Sequence, residues 1–195
     1  MRYYFPMNTD KIPRKNSLKN EYDLSESIHS ILLPPAEPSR SYAKKMELAL
    51  AAEDKKGVQA AANAISKEFA AVYEIPTAPV RVLGVRPRLV TEKSVWETFG
   101  DYDTETMKIR LWMRTAILQK PSAFGTLLST LCHELCHHLD VVQLELPNTY
   151  HTRAFYERAG LLYHHIRNTA IRPLVWTAHN DGTFSINWPA TMRRK

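Results

Sequence analysis

The stretch LCHELCHHLD, residues 131–140, concentrates side chains that can bind metals or transfer protons. His133 and His137 are four residues apart, and four residues advance an α-helix by about 400°, so both imidazoles lie on one face, one turn apart. Two imidazoles placed in this way can bind the same metal ion. Glu134 lies about 100° round the helix, beside the metal position. This is where a general base for a metal-activated water must lie.

A catalytic zinc site usually takes three protein ligands and leaves one position open, so a third ligand is expected outside this helix. The best candidate is His151 in YHTRAF, because the break at Pro147–Asn148 lets the chain turn back beside the first helix. Weaker alternatives are His138, which points about 100° away from His137, and four residues at other positions. These four are Glu145, Glu157, His164 and His165.

The predicted chemistry is peptide-bond hydrolysis at one Zn²⁺ per chain, bound by His133, His137 and His151. Zinc polarises the scissile carbonyl and lowers the pKa of a water to about 7. Glu134 is the predicted catalytic base, taking the proton of that water and delivering it to the leaving amine. The oxyanion partner stays open among five residues: Tyr150, Tyr156, Arg158, Tyr163 and His179.

Three further residues of the same stretch could have structural roles. Asp140 either orients one of the metal ligands without binding the metal itself or is a solvated aspartate near the helix end. Cys132 and Cys136 are expected to be small buried hydrophobes, because neighbouring turns of one helix make a poor disulfide.

The elements around the motif are predicted from apolar periodicity. A long helix is expected from Pro121, with a buried stripe that avoids 133, 134 and 137, and a further helix from near Thr149 or Thr152. Upstream, 41–73 is predicted as two helices that divide near Gly57, APVRVLGV as a strand, and 88–115 as two or three strands. Residues 107–113 alternate as an edge strand along which a substrate pairs, and 174–188 form a hairpin that turns at Asp181–Gly182.

These elements predict an α+β fold with N-terminal helices, a small mixed sheet, the active-site helix, a further helix and a hairpin. Residues 1–38 contain five prolines and are predicted to be an extended or partly disordered arm that could cover the cleft. Within the arm, LSESIHSILL is predicted to form one short helix. Residues 39–195 are predicted to be a single catalytic domain.

The composition of the chain narrows the class of protein and its expected location. The chain has 195 residues, 44% hydrophobic and 24% charged, which is ordinary globular composition. Its net charge of +6 permits nucleic-acid binding without demanding it. No window approaches the ~20 apolar residues of a membrane span. The N-terminus lacks the apolar run of a secretory signal and there are only two cysteines, so a cytoplasmic location is expected.

HELCHHLD followed by YHTRAFYERAG resembles the SprT-like zinc metallopeptidases and their YgjP/WLM-type relatives. The resemblance spans residues 130–160 and implies a zincin-like catalytic domain that acts on a peptide or protein substrate. Members of that group commonly carry a cysteine-rich zinc ribbon, whereas the only two cysteines here lie in the helix. The resemblance therefore concerns the catalytic core alone.

The alternative is a module that binds nucleic acid or a protein partner and uses a structural metal. The basic charge favours it, but Glu134 argues against it, since a structural site needs no base and usually completes its coordination with cysteine. Peptide deformylase is a third use of this motif. It needs a cysteine ligand from an upstream strand, and residues 1–131 contain none.

Overall fold

A computed structural model describes residues 7–90 and 95–193, which form an α+β fold as predicted. Three helices come first, five strands follow, and the C-terminal part carries two longer helices, a hairpin and a short helix. The helices of the described residues are α1 (Asn16–Ser27), α2 (Ala36–Ala51), α3 (Lys55–Val72), α4 (Phe124–Val142), α5 (Arg153–Arg167) and α6 (Trp188–Thr191). The strands are β1 (Val80–Val85), β2 (Arg88–Val90), β3 (Val95–Glu97), β4 (Gly100–Asp103), β5 (Lys108–Arg114), β6 (Trp176–Ala178) and β7 (Phe184–Ile186).

The main sheet is mixed, with strand order β1-β5-β4. β5 runs parallel to β1 and antiparallel to β4. The prediction of β5 as an edge strand is therefore wrong, since the edge beside the candidate site is β4. Buried and more exposed side chains alternate in β5, where Ile109, Leu111 and Met113 are buried, because one face of the sheet packs on the core and the other faces solvent. A central strand in such a sheet alternates in the same way as an edge strand. The separate antiparallel pair of β2 and β3 brings the strands described within 88–115 to four, where two or three were predicted. Residues 91–94 between these two strands lie outside the described part.

Helix α4 lies at the centre of the molecule. Its leucines pack with α3, β1, β5 and α5 into the main core. The helix begins at Phe124 and not at the predicted Pro121. Pro121 instead forms a bridge with Arg114, and the Ser122 N–H donates to the Met113 carbonyl at 2.8 Å. Pairing with the end of β5 keeps these residues extended, so the helix starts only after them.

The break between α2 and α3 lies at residues 52–54, not at Gly57 as predicted. Glu53 takes the left-handed conformation there, with φ of 54°. Gly57 lies in the first turn of α3, where an added Cβ would be 2.4 Å from Asp54 Oδ2 and 2.9 Å from Ala49 Cβ. Glycine at this position permits the tight turn between the two helices, which explains its presence without a break.

The N-terminal segment also differs from the prediction, because residues 16–27 form α1 and are not extended. Tyr22 and Ser25 are buried on one face, one turn apart. The helix ends at Ser27 and does not continue over 28–33, since the backbone is already extended at Ile28. Residues 7–9 pair with the C-terminal hairpin through Asn8 and Ser185. Residues 1–6 of the predicted arm lie outside the described part.

Two C-terminal predictions are confirmed. Helix α5 begins directly after Thr152, one of the two predicted starts, and the Thr152 side chain accepts a hydrogen bond from the Phe155 N–H at 3.1 Å. β6 and β7 form the expected antiparallel hairpin, with Gly182 at φ 83° in its turn. Among the described helices, none has the length and apolar character needed to cross a membrane.

Candidate metal centre

The three predicted histidines lie together. His133 and His137 project from successive turns of α4, and His151 immediately precedes the cap of α5. The Nε2 atom of His133 is 3.1 Å from His137 Nε2 and 3.0 Å from His151 Nε2. Their potential ligand atoms all lie within 4.8 Å of one another.

This arrangement fits a metal ion better than a histidine hydrogen-bond network. Two nitrogens bound to one tetrahedral zinc at 2.0–2.1 Å are separated by about 3.3 Å, close to the spacing seen. A ring nitrogen of neutral imidazole carries either one proton or one lone pair, so His133 Nε2 cannot satisfy both neighbours. The donor set therefore fits one divalent cation that shares the three nitrogens.

Burial also keeps the His133 and His137 imidazoles in the form that binds metal. Burial, with a smaller effect from His151, lowers the pKa of His133 to about 3. The pKa of His137 lies well below its usual value, again mainly through burial. Neutral imidazoles keep a free lone pair, which is the form a metal requires.

His137 is oriented by a chain of hydrogen bonds that leads away from the cleft. Its Nδ1 lies 2.7 Å from Thr149 Oγ1, and the Thr149 hydroxyl lies 3.1 Å from Asp140 Oδ2. Asp140 in turn accepts a 2.7 Å bond from Arg158, and both side chains are completely buried. Burial raises the pKa of Asp140 to about 6, while Arg158 and Thr149 act in the opposite direction. Asp140 is therefore not a solvated helix-end residue, and it reaches the ligand through Thr149.

His151 is held by Asp10, a residue that the sequence interpretation did not single out. Asp10 Oδ2 accepts the His151 backbone N–H at 2.8 Å and lies 3.3 Å from His151 Nδ1. The Asp10 N–H also donates to the His151 carbonyl at 2.9 Å. Burial would raise the pKa of Asp10, but the hydrogen bonds from His151 outweigh it and the pKa is lowered. The two residues are 141 positions apart, so no local pattern could have paired them.

Glu134 lies on the wall of the same cleft. It is 5% exposed, and burial, helped by the charge of Asp101, raises its pKa to about 8. The cleft has a volume of about 270 Å³. Its lining residues are Gly100, Asp101 and Tyr102 of β4, His133, Glu134 and His137 of α4, and Thr149 and His151.

The close contact between β4 and α4 depends on Gly100. A Cβ at this position would lie 2.5 Å from Thr130 Cγ2 and 3.1 Å from Glu134 Oε1. Real Cβ atoms do not approach other atoms at the first of these distances. Glycine therefore lets the edge strand pass directly over the carboxylate.

The alternative third ligands lie away from the three nitrogens. His138 is fully buried on another side of α4, where its Nδ1 is 3.0 Å from the Tyr102 hydroxyl and its Nε2 is 2.7 Å from the Pro76 carbonyl. Glu157 pairs with His29 at 2.7 Å. The remaining candidates are Glu145, which is exposed, His164, which contacts Thr169, and His165, which contacts Pro34.

None of the five residues considered for the oxyanion role lines the cleft in the described structure. Arg158 is committed to Asp140, and the Tyr156 hydroxyl donates to the Asn8 carbonyl at 2.9 Å. Besides the residues of α4 and the loop before α5, the cleft is lined by Gly100, Asp101 and Tyr102 of β4, a strand to which the sequence interpretation assigned no role.

The cysteines behave as buried hydrophobes. Cys132 and Cys136 are free thiols with no exposed surface. Burial raises the pKa of Cys136 to about 12. Within the described residues, the cluster of potential metal ligands holds three histidines and no cysteine.

No family model, no curated protein and no solved structure matches this chain. The resemblance to SprT-like metallopeptidases therefore rests on the motif residues, and the function must be argued from the site itself.

Proposed function

We propose that the protein is a zinc-dependent metallopeptidase with a zincin-like catalytic domain that binds one Zn²⁺ through His133, His137 and His151. The observation that carries this proposal is the convergence of three Nε2 atoms on a cleft whose wall holds Glu134. Peptide or protein is the proposed substrate.

The ligand set favours a catalytic site over a structural one. Structural zinc sites are usually closed by four protein ligands, often cysteines, whereas catalytic sites keep three and leave a position open. In the described residues the cluster has three histidines, and it faces an open cleft. The carboxyl group of Glu134 on the same wall is costly to bury. A structural site has no use for this group, whereas a catalytic site uses it as a base.

The chain supplies the proton transfers. When bound, zinc acts as a Lewis acid that polarises a carbonyl and lowers the pKa of water. Glu134 takes a proton from the attacking water and gives it to the leaving amine. Glu134 is nearly fully buried on the cleft wall, where it can both accept and return that proton. Thr149 and Asp10 hold the Nδ1 sides of His137 and His151, which leaves both Nε2 atoms for the metal.

The proposed substrate path runs along β4 and not along β5. The Trp112 N–H donates to the Phe99 carbonyl at 3.1 Å, which marks residues 99, 101 and 103 as the hydrogen-bonded positions toward β5. By the alternation of antiparallel strands, the peptide groups of Gly100 and Tyr102 face the other side. Both residues line the cleft, so an extended peptide can pair with them beside Glu134.

The test combines metal analysis with a base substitution. The purified chain should hold about one zinc per molecule, and Glu134→Gln should keep it while losing most hydrolysis, a drop of about 10²–10⁴ in rate. Activity is measured in lysate of the native host by labelling new N-termini. Glu145→Gln, an exposed change, is the matched control.

Two results would contradict the proposal. One is a folded chain that neither contains zinc nor takes it up. The other is a set of cleavage ends that is equal for wild type and Glu134→Gln, which would favour a binding module with a structural metal.

A further inference from the structure

The loop that carries His151 is held by the N-terminal segment over nearly its whole length. Residues 148–153 follow one another along the chain, and five of these six contact a side chain from residues 10–26. Asn148 donates to Glu21 from its backbone N–H and its side-chain amide, at 2.7 and 2.6 Å, and the ring centroids of Tyr150 and Tyr22 lie 5.6 Å apart. The His151 backbone N–H donates to Asp10, and Thr152 Oγ1 lies 3.2 Å from Ser25 Oγ. Arg153 donates to Glu26 from its backbone N–H and from Nε. We call these five partners, Asp10, Glu21, Tyr22, Ser25 and Glu26, the N-terminal clasp.

The loop has little regular structure of its own. It leaves α4 through two residues in the left-handed region, Glu145 at φ 55° and Thr149 at φ 37°. Such backbone persists only where surrounding contacts hold it, because each such residue costs about 1–3 kcal/mol. The clasp holds Asn148 and Tyr150, the residues on either side of Thr149, whereas His133 and His137 lie within the regular helix α4.

Within the clasp, Asp10 contacts the ligand itself. Its backbone N–H bonds the His151 carbonyl, and its Oδ2 bonds the His151 N–H and faces Nδ1. Three contacts to one residue fix both the position of the backbone and the rotation of the ring. A carboxylate at Nδ1 also keeps the proton on that nitrogen, so the lone pair lies on Nε2, which faces the other two histidines.

From these contacts we propose that Asp10 is a positioning residue for His151 and that the N-terminal clasp is an integral part of the metal centre. This inference rests on the metal binding proposed above. The role proposed here therefore differs from the one that the sequence suggested for this segment, and it concerns only residues that the structure describes. Residues 7–28 contribute nothing to the lining of the cleft and lie behind its third ligand.

The first measurement is zinc affinity, by competition with a chromophoric chelator on the full-length chain. Asp10→Ala should weaken binding by about 10–100-fold, the usual effect of removing a partner that orients a ligand. Asp10→Asn should lose less, because its amide oxygen still accepts the His151 N–H. Asp23→Asn is the control, since Asp23 lies among the clasp residues of α1 but pairs with Lys19 on the exposed side of that helix. It should bind zinc as wild type does.

A double-mutant cycle separates positioning from general destabilisation. In a His151→Ala background, Asp10→Ala should cause little further loss of affinity, because the ligand through which Asp10 acts is absent. The visible spectrum of the cobalt-loaded Asp10→Asn protein should also differ from wild type, reporting altered geometry at the metal. If Asp10→Ala does not yield folded protein, Asp10→Asn carries the same cycle.

The outcomes are distinguishable from those of the proposed function. If wild type binds zinc and the Asp10 variants bind it as tightly as Asp23→Asn does, the clasp has no positioning role and the metal site stands. Additive losses in the double-mutant cycle would also overturn the inference. If wild type binds no zinc, the proposed function fails and this inference fails with it.

Discussion

At the scale of single residues, adjacent histidines in α4 have opposite roles. His137 directs Nε2 into the cleft, whereas His138 turns into the protein and bonds Tyr102 and the Pro76 carbonyl. The helix itself separates them, since neighbouring residues point about 100° apart. The direction of His138 follows from the sequence, but its two partners do not.

This division predicts different effects of removing each ring. His151→Ala should weaken zinc binding strongly, because one of three ligands is lost. His138→Ala should leave zinc affinity nearly unchanged but lower the free energy of unfolding by about 1–3 kcal/mol, since it leaves buried polar partners unsatisfied. Chelator competition and urea unfolding measure the two quantities. Weak zinc binding in His138→Ala with normal binding in His151→Ala would contradict this assignment of ligands.

At the scale of elements, the site is made where β4 lies over α4. Thr130 and Glu134 are one turn apart on the helix, and both approach the place where a Gly100 side chain would begin. The strand supplies one wall of the cleft, and the helix supplies Glu134, the proposed base, and two of the three proposed ligands. The absence of a side chain at one strand position thus sets the width of the cleft.

We expect Gly100→Ala to push β4 away from α4 and to displace Glu134. Peptide hydrolysis should fall at least tenfold, while zinc content stays near wild type because the histidines are held elsewhere. Gly84→Ala on β1 is the matched control, since an added Cβ there meets nothing within 4 Å. Activity and metal content are measured on all three proteins. An active Gly100→Ala protein would show that the close contact is not needed.

At the scale of the whole molecule, Arg158 joins three helices. From α5 it pairs with Asp140 of α4 and donates to the carbonyls of Ser25 and Ile28 at the end of α1, at 3.1 and 2.7 Å. Its side chain has no exposed surface. The same Asp140 supports His137 through Thr149, so the packing of the helices and the proposed metal site share one buried ion pair.

Neutralising this pair should destabilise the entire fold. Asp140→Asn leaves the buried guanidinium without a counter-charge, and breaking one partner of a buried pair costs about 3–5 kcal/mol. The free energy of unfolding is measured in urea on the metal-free protein. Asp23→Asn, the same chemical change in an exposed pair with Lys19, should have a much smaller effect. Equal stability of the two variants would show that Arg158 is satisfied without Asp140.

Much of the architecture could be predicted from local patterns. The stripe of α4, the cap of α5 and the turn at Gly182 depend on neighbours within a few residues, and the structure contains all of them. The misplaced boundaries have non-local causes. The pairing of Pro121 with Arg114 moves the start of α4 beyond Pro121. Gly57 does not break the helix, and its lack of a side chain is explained by its close approach to Asp54.

The sequence by itself determined which residues could meet at a metal, because helix geometry puts positions i and i+4 on one face and a chain break allows His151 to return. Only the tertiary structure decided what holds them there. Asp10, Thr149 and Gly100 act on the site through contacts between elements far apart in the chain. Their residue types are ordinary for an arm, a loop and a strand, so nothing local marks them. The physical reason is that orientation and close approach depend on how elements pack, and periodicity within one element carries no information about its neighbours.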